Sequence, residues 1–168
     1  MQELIFEKAK ELVALLSQKN MTITFAESCT GGLCAASITS VGGASGVFKG
    51  SVVTYSESIK EKLVGVSQST LEKHTVYSEK CALEMSLGAK NLIGADIAVS
   101  LTGIAGPSGA TEKDPVGTVY ISLICDGTHI CRRSVFDGDR DRVRQSAVLS
   151  AFDMAINYLN HNYSKKEI

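Results

Sequence analysis

Apolar positions between residues 2 and 18 recur every three to four residues, at Ile5, Ala9, Leu12, Val13 and Leu16. This predicts an amphipathic helix. The pattern then changes period. "MTITFA" (21–26) reads as a strand, and Gly31–Thr39 reads as a helix built from small residues. "VGGASG" (41–46) reads as a loop, and the β-branched run "VFKGSVVTY" (47–55) as a second strand. Two short helices follow at about 57–64 and 68–73. A longer one, "SEKCALEMSLGAKNLIG" (78–94), has Ser78 as its N-cap and Gly94 as its stop. "ADIAVSLTG" (95–103) reads as a buried strand, and 104–117 as a long loop holding both prolines. "TVYISLIC" (118–125) and "HICRRSVFD" (129–137) flank Asp126-Gly127 and predict a hairpin. A last helix starts near Asp139 and buries Val143, Ala147, Ala151, Met154 and Tyr158. No repeat, low-complexity tract or linker interrupts the pattern. Helices alternating with strands, closed by one hairpin, predict an α/β single domain: a three-layer α/β/α sandwich with a mixed β-sheet, its core about 5–160.

Composition narrows the class. The chain has 168 residues, is 44% hydrophobic and 21% charged, and carries a net charge of −1. Those values fit an ordinary globular domain. The near-zero charge gives no general attraction to nucleic acid. No apolar run approaches the roughly 20 residues a membrane span needs. The amino-terminal segment is rich in Glu and Lys and does not read as a secretory leader, so a cytoplasmic location is expected. Five cysteines (29, 34, 81, 125 and 131) show no CxxC spacing, which favours reduced thiols and no metal site. A two-fold homodimer is the general expectation for such a chain.

Ligands in open α/β sheets gather beyond the carboxyl ends of the strands. Three segments fall there: Glu27–Gly32, Tyr55–Lys60 and Gly103–Gly117. Ser28 reads either as a helix cap or as a nucleophile near exposed glycine N–H groups. The three histidines (74, 129 and 161) are poorly placed to be its base, so a Ser-His-Asp triad is not expected. Lys60 is the alternative base if burial lowers its pKa, with Tyr55 beside it; the competing reading is a solvated helix lysine and a core tyrosine. Cys29 reads first as a small buried residue, and Glu27 as either a cap or a contact to a ligand hydroxyl. All five arginines lie between Arg132 and Arg144. Interleaved aspartates leave two readings, a solvated helix start or an anion site.

Five stretches resemble the CinA C-terminal domain family: "AESCTGG" (26–32), "GSVVTYSESIK" (50–60), "VSLTGIAGPSGA" (99–110), "DPVGTVYI" (114–121) and "FDGDRDRVR" (136–144). Some members carry this domain behind a larger one, as in competence/damage-inducible protein A. Others are stand-alone nicotinamide-nucleotide amidases of the PncC type, the form this length resembles. The resemblance implies hydrolysis of nicotinamide mononucleotide to nicotinate mononucleotide and ammonia, with no metal and no cofactor. Its catalytic serine, tyrosine and lysine would be Ser28, Tyr55 and Lys60. The turn Glu27, Cys29, Thr30, Gly31 and Gly32 would hold the oxyanion or substrate. The loop residues Thr102, Gly103, Ala105, Gly106, Ser108 and Gly109 would contact substrate, and Arg140 or Arg144 the phosphate. In the implied mechanism Tyr55 bridges Lys60 and Ser28.

The chain departs from the family pattern at Glu57, where asparagine is more usual, at Ser108 and Ala110, where glycines are common, and at Asp114, where lysine often stands. Two other functions remain open on the sequence. One is a non-catalytic nucleotide-binding or interaction domain, which a surface-pointing Lys60 would favour. The other is a Ser-Lys hydrolase of another acyl group.

Overall fold

The computed structural model describes residues 1–162. The elements run α1 (Gln2–Gln18), β1 (Ile23–Glu27), α2 (Leu33–Thr39), β2 (Phe48–Val53), α3 (Glu57–Val64), α4 (Gln68–His74), α5 (Glu79–Ile93), β3 (Ile97–Gly103), β4 (Thr118–Cys125), β5 (Thr128–Val135) and α6 (Arg140–Asn162). A single 3-10 turn, Ala44–Gly46, lies within the stretch expected to be a loop. The expected element types all form, and the differences are at their ends. α2 starts at Leu33 rather than at 31, because Gly31 and Gly32 both adopt left-handed φ values of 61° and 97°. A helix cannot propagate through such residues, and glycine is what permits them. Ser78 caps α5 by accepting from the Cys81 N–H, and Gly94 ends it at φ 69°.

The five strands form one mixed sheet in the order β2-β1-β3-β4-β5. β1 pairs in parallel with both β2 and β3, while β3–β4 and β4–β5 are antiparallel. The two faces of the sheet differ in chemistry. Ile23, Phe25, Ile97, Val99, Leu101, Val119, Ile121 and Leu123 form one core with α1, α2 and α6. Phe25 touches the rings of both Phe48 and Phe152 there. The opposite face carries small or hydroxylated residues, and α5 lies close on it. Ser86 Oγ meets Ser122 Oγ at 2.6 Å, and Ser100 donates to the Ala82 carbonyl at 2.6 Å. A buried hydroxyl costs little when it is paired in this way.

α3 seats against α5 through Gly88. A Cβ built at Gly88 would meet the Val64 carbonyl oxygen at 1.8 Å. The depth of α3 therefore depends on that missing side chain.

β1 is followed by α2 on one face, and β3 is preceded by α5 on the other. The connections leave the sheet in opposite directions between β1 and β3. A crevice opens at such a point beyond the carboxyl ends of the strands.

Candidate active site

The crevice holds a cavity of about 310 Å³, lined by Ser28, Cys29, Tyr55, Ser56, Glu57, Lys60, Val76, Tyr77, Gly103, Ile104, Ala105, Gly106, Ser108 and Arg140. Three strand-end segments, the Val76-Tyr77 turn before α5 and the first turn of α6 contribute to it.

Ser28 is the first residue after β1. Its N–H donates to the Leu101 carbonyl at 2.9 Å, while Thr54 N–H donates to the Glu27 carbonyl at 2.8 Å. The end of β1 is thus fixed on both sides. Parallel register sets Val53 beside Glu27, so the chain leaving β2 starts next to Ser28. It turns at Thr54–Ser56, and α3 brings Lys60 back one helical turn later. Ser56 supports that turn by capping α3. Lys60 Nζ lies 2.9 Å from Ser28 Oγ and donates to the Thr54 carbonyl. The lysine is only 2% exposed.

Among the described residues no carboxylate pairs with that amine. Burial lowers the Lys60 pKa below its ordinary 10.5, because an apolar surrounding disfavours the ammonium. The fields of Cys81, Cys29 and Glu57 oppose this in part.

Cys29 is buried, and that burial pushes its thiol up to about 11. A protonated thiol needs a base as a hydroxyl does, and the Lys60 amine contacts Ser28 Oγ, so Ser28 is the better placed of the two adjacent side chains.

Glu27 does not face the cavity. Its wholly buried carboxylate accepts from the N–H groups of Gly32, Cys34 and Ala35, each at 3.0 Å. It caps α2, and the reading as a contact to a ligand hydroxyl gives way to that role. Gly31 N–H donates to the Ser28 carbonyl at 3.1 Å. The two glycine N–H groups are therefore occupied, and the expectation that they bind an oxyanion is corrected. Cys29 and Ala105 both line the cavity, and their N–H groups donate to no carbonyl or carboxylate among the described residues.

Tyr55 is 64% exposed at the mouth, and its hydroxyl accepts from Arg140 Nη2 at 3.0 Å. Lys60 and Ser28 touch directly, so no gap between them is left for Tyr55 to bridge. Arg140 also donates to the Gly106 carbonyl at 2.8 Å, which ties α6 to the 104–117 loop. Arg144, one turn further along α6, donates instead to the Thr30 carbonyl at 2.9 Å and pairs with Asp141. It braces the turn and does not line the cavity.

Thr30, Gly31, Gly32 and Gly109 are also absent from the lining, as is Thr102. The Thr102 side chain points to the α5 face, where it donates to the Val76 carbonyl at 2.7 Å. Gly103, Ala105, Gly106 and Ser108 do line the cavity. Asp114 is buried at the base of the same loop. Its carboxylate takes the Tyr120 hydroxyl at 3.3 Å and Arg133 Nε at 3.1 Å, so this departure from the family pattern anchors the loop.

Sequence reasoning missed Ser56, Val76, Tyr77 and Ile104 as cavity residues, and noted Glu57 only as a departure. Tyr77 enters from a turn whose preceding Thr75 holds φ at 66°, a costly conformation for a β-branched residue. No three His, Cys, Asp or Glu side chains among the described residues converge as metal ligands. No described helix is long and apolar enough to cross a membrane.

Comparison with known proteins agrees with this architecture. The family model described as CinA C-terminal domain matches residues 6–159. A CinA-like protein of Thermotoga maritima is 46% identical over 154 residues, covering 91% of this chain and 38% of that protein. A putative competence-damage inducible protein of Caldanaerobacter subterraneus is 45% identical over 154 residues, covering 91% and 37%. The chain thus spans less than two-fifths of the length of these curated relatives. A CinA superfamily protein of Klebsiella pneumoniae superposes with a TM-score of 0.91 at 34% identity, covering 94% of this chain and 98% of that one. The competence/damage inducible protein CihA of Agrobacterium tumefaciens gives 0.90 at 34% identity, covering 94% and 96%. With the profile matching almost end to end and solved relatives superposing over 94% of its length, this chain belongs to the CinA C-terminal domain family.

Proposed function

We propose that the chain is a nicotinamide-nucleotide amidohydrolase that uses a serine nucleophile. The observation carrying this reading is the 2.9 Å contact between Ser28 Oγ and a buried Lys60 Nζ inside a ligand-sized cavity. In the neutral amine one N–H is held by the Thr54 carbonyl, and the lone pair accepts the Ser28 proton. Ser28 Oγ attacks the carboxamide carbon, and the tetrahedral oxyanion lies near the N–H groups of Cys29 and Ala105. Lys60 returns the proton to the leaving nitrogen, and ammonia departs. Water then enters and gives a proton to Lys60, its oxygen attacks the nicotinoyl ester, and Lys60 returns the proton to Ser28 Oγ as the nicotinate leaves. Arg140 at the mouth takes the 5′-phosphate. A purely binding domain would have no reason to bury an unpaired amine against a serine, which disfavours that alternative. The direct test is incubation with nicotinamide mononucleotide, assaying ammonia and nicotinate mononucleotide. Equimolar release is expected, and no ammonia from folded protein overturns the reading.

Lys60 must be unprotonated to act as base, so kcat/KM rises as pH passes upward through its pKa. Burial lowers that pKa, which places the rise on the acid side of 10.5. A pH–rate profile still climbing through 10.5 would exclude Lys60 as the base.

The two arginines are expected to fail differently. Arg140→Ala removes charge-assisted hydrogen bonds worth about 1.5–3 kcal/mol. That is about a 10- to 150-fold loss of kcat/KM on the nucleotide, over and above the smaller loss on both substrates that follows from freeing the Gly106 carbonyl. Arg144→Ala should lower activity on both substrates alike, because it braces the Thr30 turn. Steady-state kinetics on the two substrates separates these outcomes. An unchanged nucleotide-to-riboside ratio in Arg140→Ala places the phosphate elsewhere.

A further inference from the structure

Resting on the nucleotide reading above, we infer that Glu57 and Tyr77 form a wall that selects ligands with a positively charged aromatic ring. Glu57 is the one carboxylate lining the cavity among the described residues. It is the first residue of α3, with Ser56 capping that helix from the position before it. A favourable place at a helix start accounts for an acidic residue there, but not for its lying on the ligand cavity.

Arg140, the cavity's exposed cation, does not pair with Glu57. Its guanidinium donates instead to the Gly106 carbonyl and the Tyr55 hydroxyl. Opposite charges are therefore held apart in one cavity, neither neutralising the other. Such an arrangement fits a zwitterion, with an anionic group at Arg140 and a cationic one toward Glu57.

Tyr77 supplies the second half of the wall. It lines the same cavity from the short strap between α4 and α5. Its backbone is tied to β3 by Thr102, which donates to the Val76 carbonyl, and is closed on itself by Ser78 Oγ, which donates to the Thr75 carbonyl at 3.0 Å. An aromatic ring carried on that backbone offers a face that attracts a flat cation more than a flat neutral ring. A nicotinamide nucleotide in its oxidised form carries a pyridinium and a phosphate. Its reduced dihydro form has nearly the same shape and phosphate with a neutral ring. The wall should separate the two.

The test measures dissociation constants of oxidised and reduced nicotinamide mononucleotide on Ser28→Ala, where neither form turns over. Ser28→Ala/Glu57→Gln, Ser28→Ala/Tyr77→Leu and Ser28→Ala/Tyr77→Phe are measured beside it. Inhibition of the unaltered protein by the reduced form gives the same comparison without Ser28→Ala. The parent should prefer the oxidised form about tenfold. Glu57→Gln should reduce that preference to about twofold with little change for the reduced form. Tyr77→Leu should reduce it too, and Tyr77→Phe should retain it. An unchanged preference in Glu57→Gln overturns the inference while leaving the amidase reading intact. Charge-dependent binding without ammonia release from the unaltered protein supports the inference and sinks the amidase reading. If neither form binds or inhibits, both fall.

Discussion

Ser28→Ala should lower turnover of nicotinamide mononucleotide by at least about a thousandfold, with nucleotide affinity within about threefold of the parent. The substitution removes the one atom that would form the ester. It spares the framework, since the Ser28 backbone N–H keeps its bond to the Leu101 carbonyl. Lys60 loses one neighbour but keeps the Thr54 carbonyl, and water from the adjoining cavity can replace the hydroxyl. Single-turnover kinetics, titration of the nucleotide and a thermal melt together make the test. Turnover within about tenfold of the parent by a folded variant would rule out the covalent route, because no nearby group substitutes for Oγ. Cys29 is the adjacent candidate, and burial keeps its thiol protonated.

Lys60→Met should lower kcat by about 100- to 10,000-fold, the usual contribution of a positioned general base, while KM changes little. Methionine keeps the unbranched stem and most of the volume, so α3 should stay seated. It discards a buried amine whose ammonium form is disfavoured, and it leaves the Thr54 carbonyl one donor short. Those effects on stability oppose each other, whereas the effect on chemistry has one sign. The diagnostic readout is the pH profile: residual activity of Lys60→Met should lose the rise that the parent shows. A profile that keeps its rise, at near-parental kcat, would assign the base to another group.

Much of the architecture was legible because the chain changes hydrophobic period cleanly from element to element. Ser78, Gly94 and Gly127 punctuate it where capping and turn chemistry require. Strand order was not legible. Local pattern does not say which strands lie side by side, and the pairing of β1 with β3 spans more than 70 residues.

Within the site, Ser28 and Lys60 were legible as strand-end candidates and as the pair that the family resemblance implies, while the parallel register that brings them together is seen only in the fold. The errors have physical causes. Thr102 shares the alternation of Ala98 and Ser100, and that parity already directs it toward α5 and away from the cavity. Arg144 lies on the same side of α6 as Arg140, but one turn deeper along the axis, which moves it from the cavity mouth to the Thr30 carbonyl. Glu27 carried no sequence signal separating a cap from a ligand contact; its complete burial decides the matter. Tyr77 was invisible because its placement depends on a left-handed Thr75, which a β-branched residue does not advertise.

The close seat of α3 on α5 spreads the mutational burden of the site beyond the residues that face the cavity. Gly88 touches no cavity group, and its helix carries no member of the Ser28–Lys60 pair. Any side chain there must displace the Val64 carbonyl and the helix on which Lys60 is mounted. Position 88 therefore bears on the placement of Lys60, though the residue has no chemistry of its own. One added methyl group behind the base is expected to move the base itself, a route to lost activity that leaves every ligand-facing side chain in place.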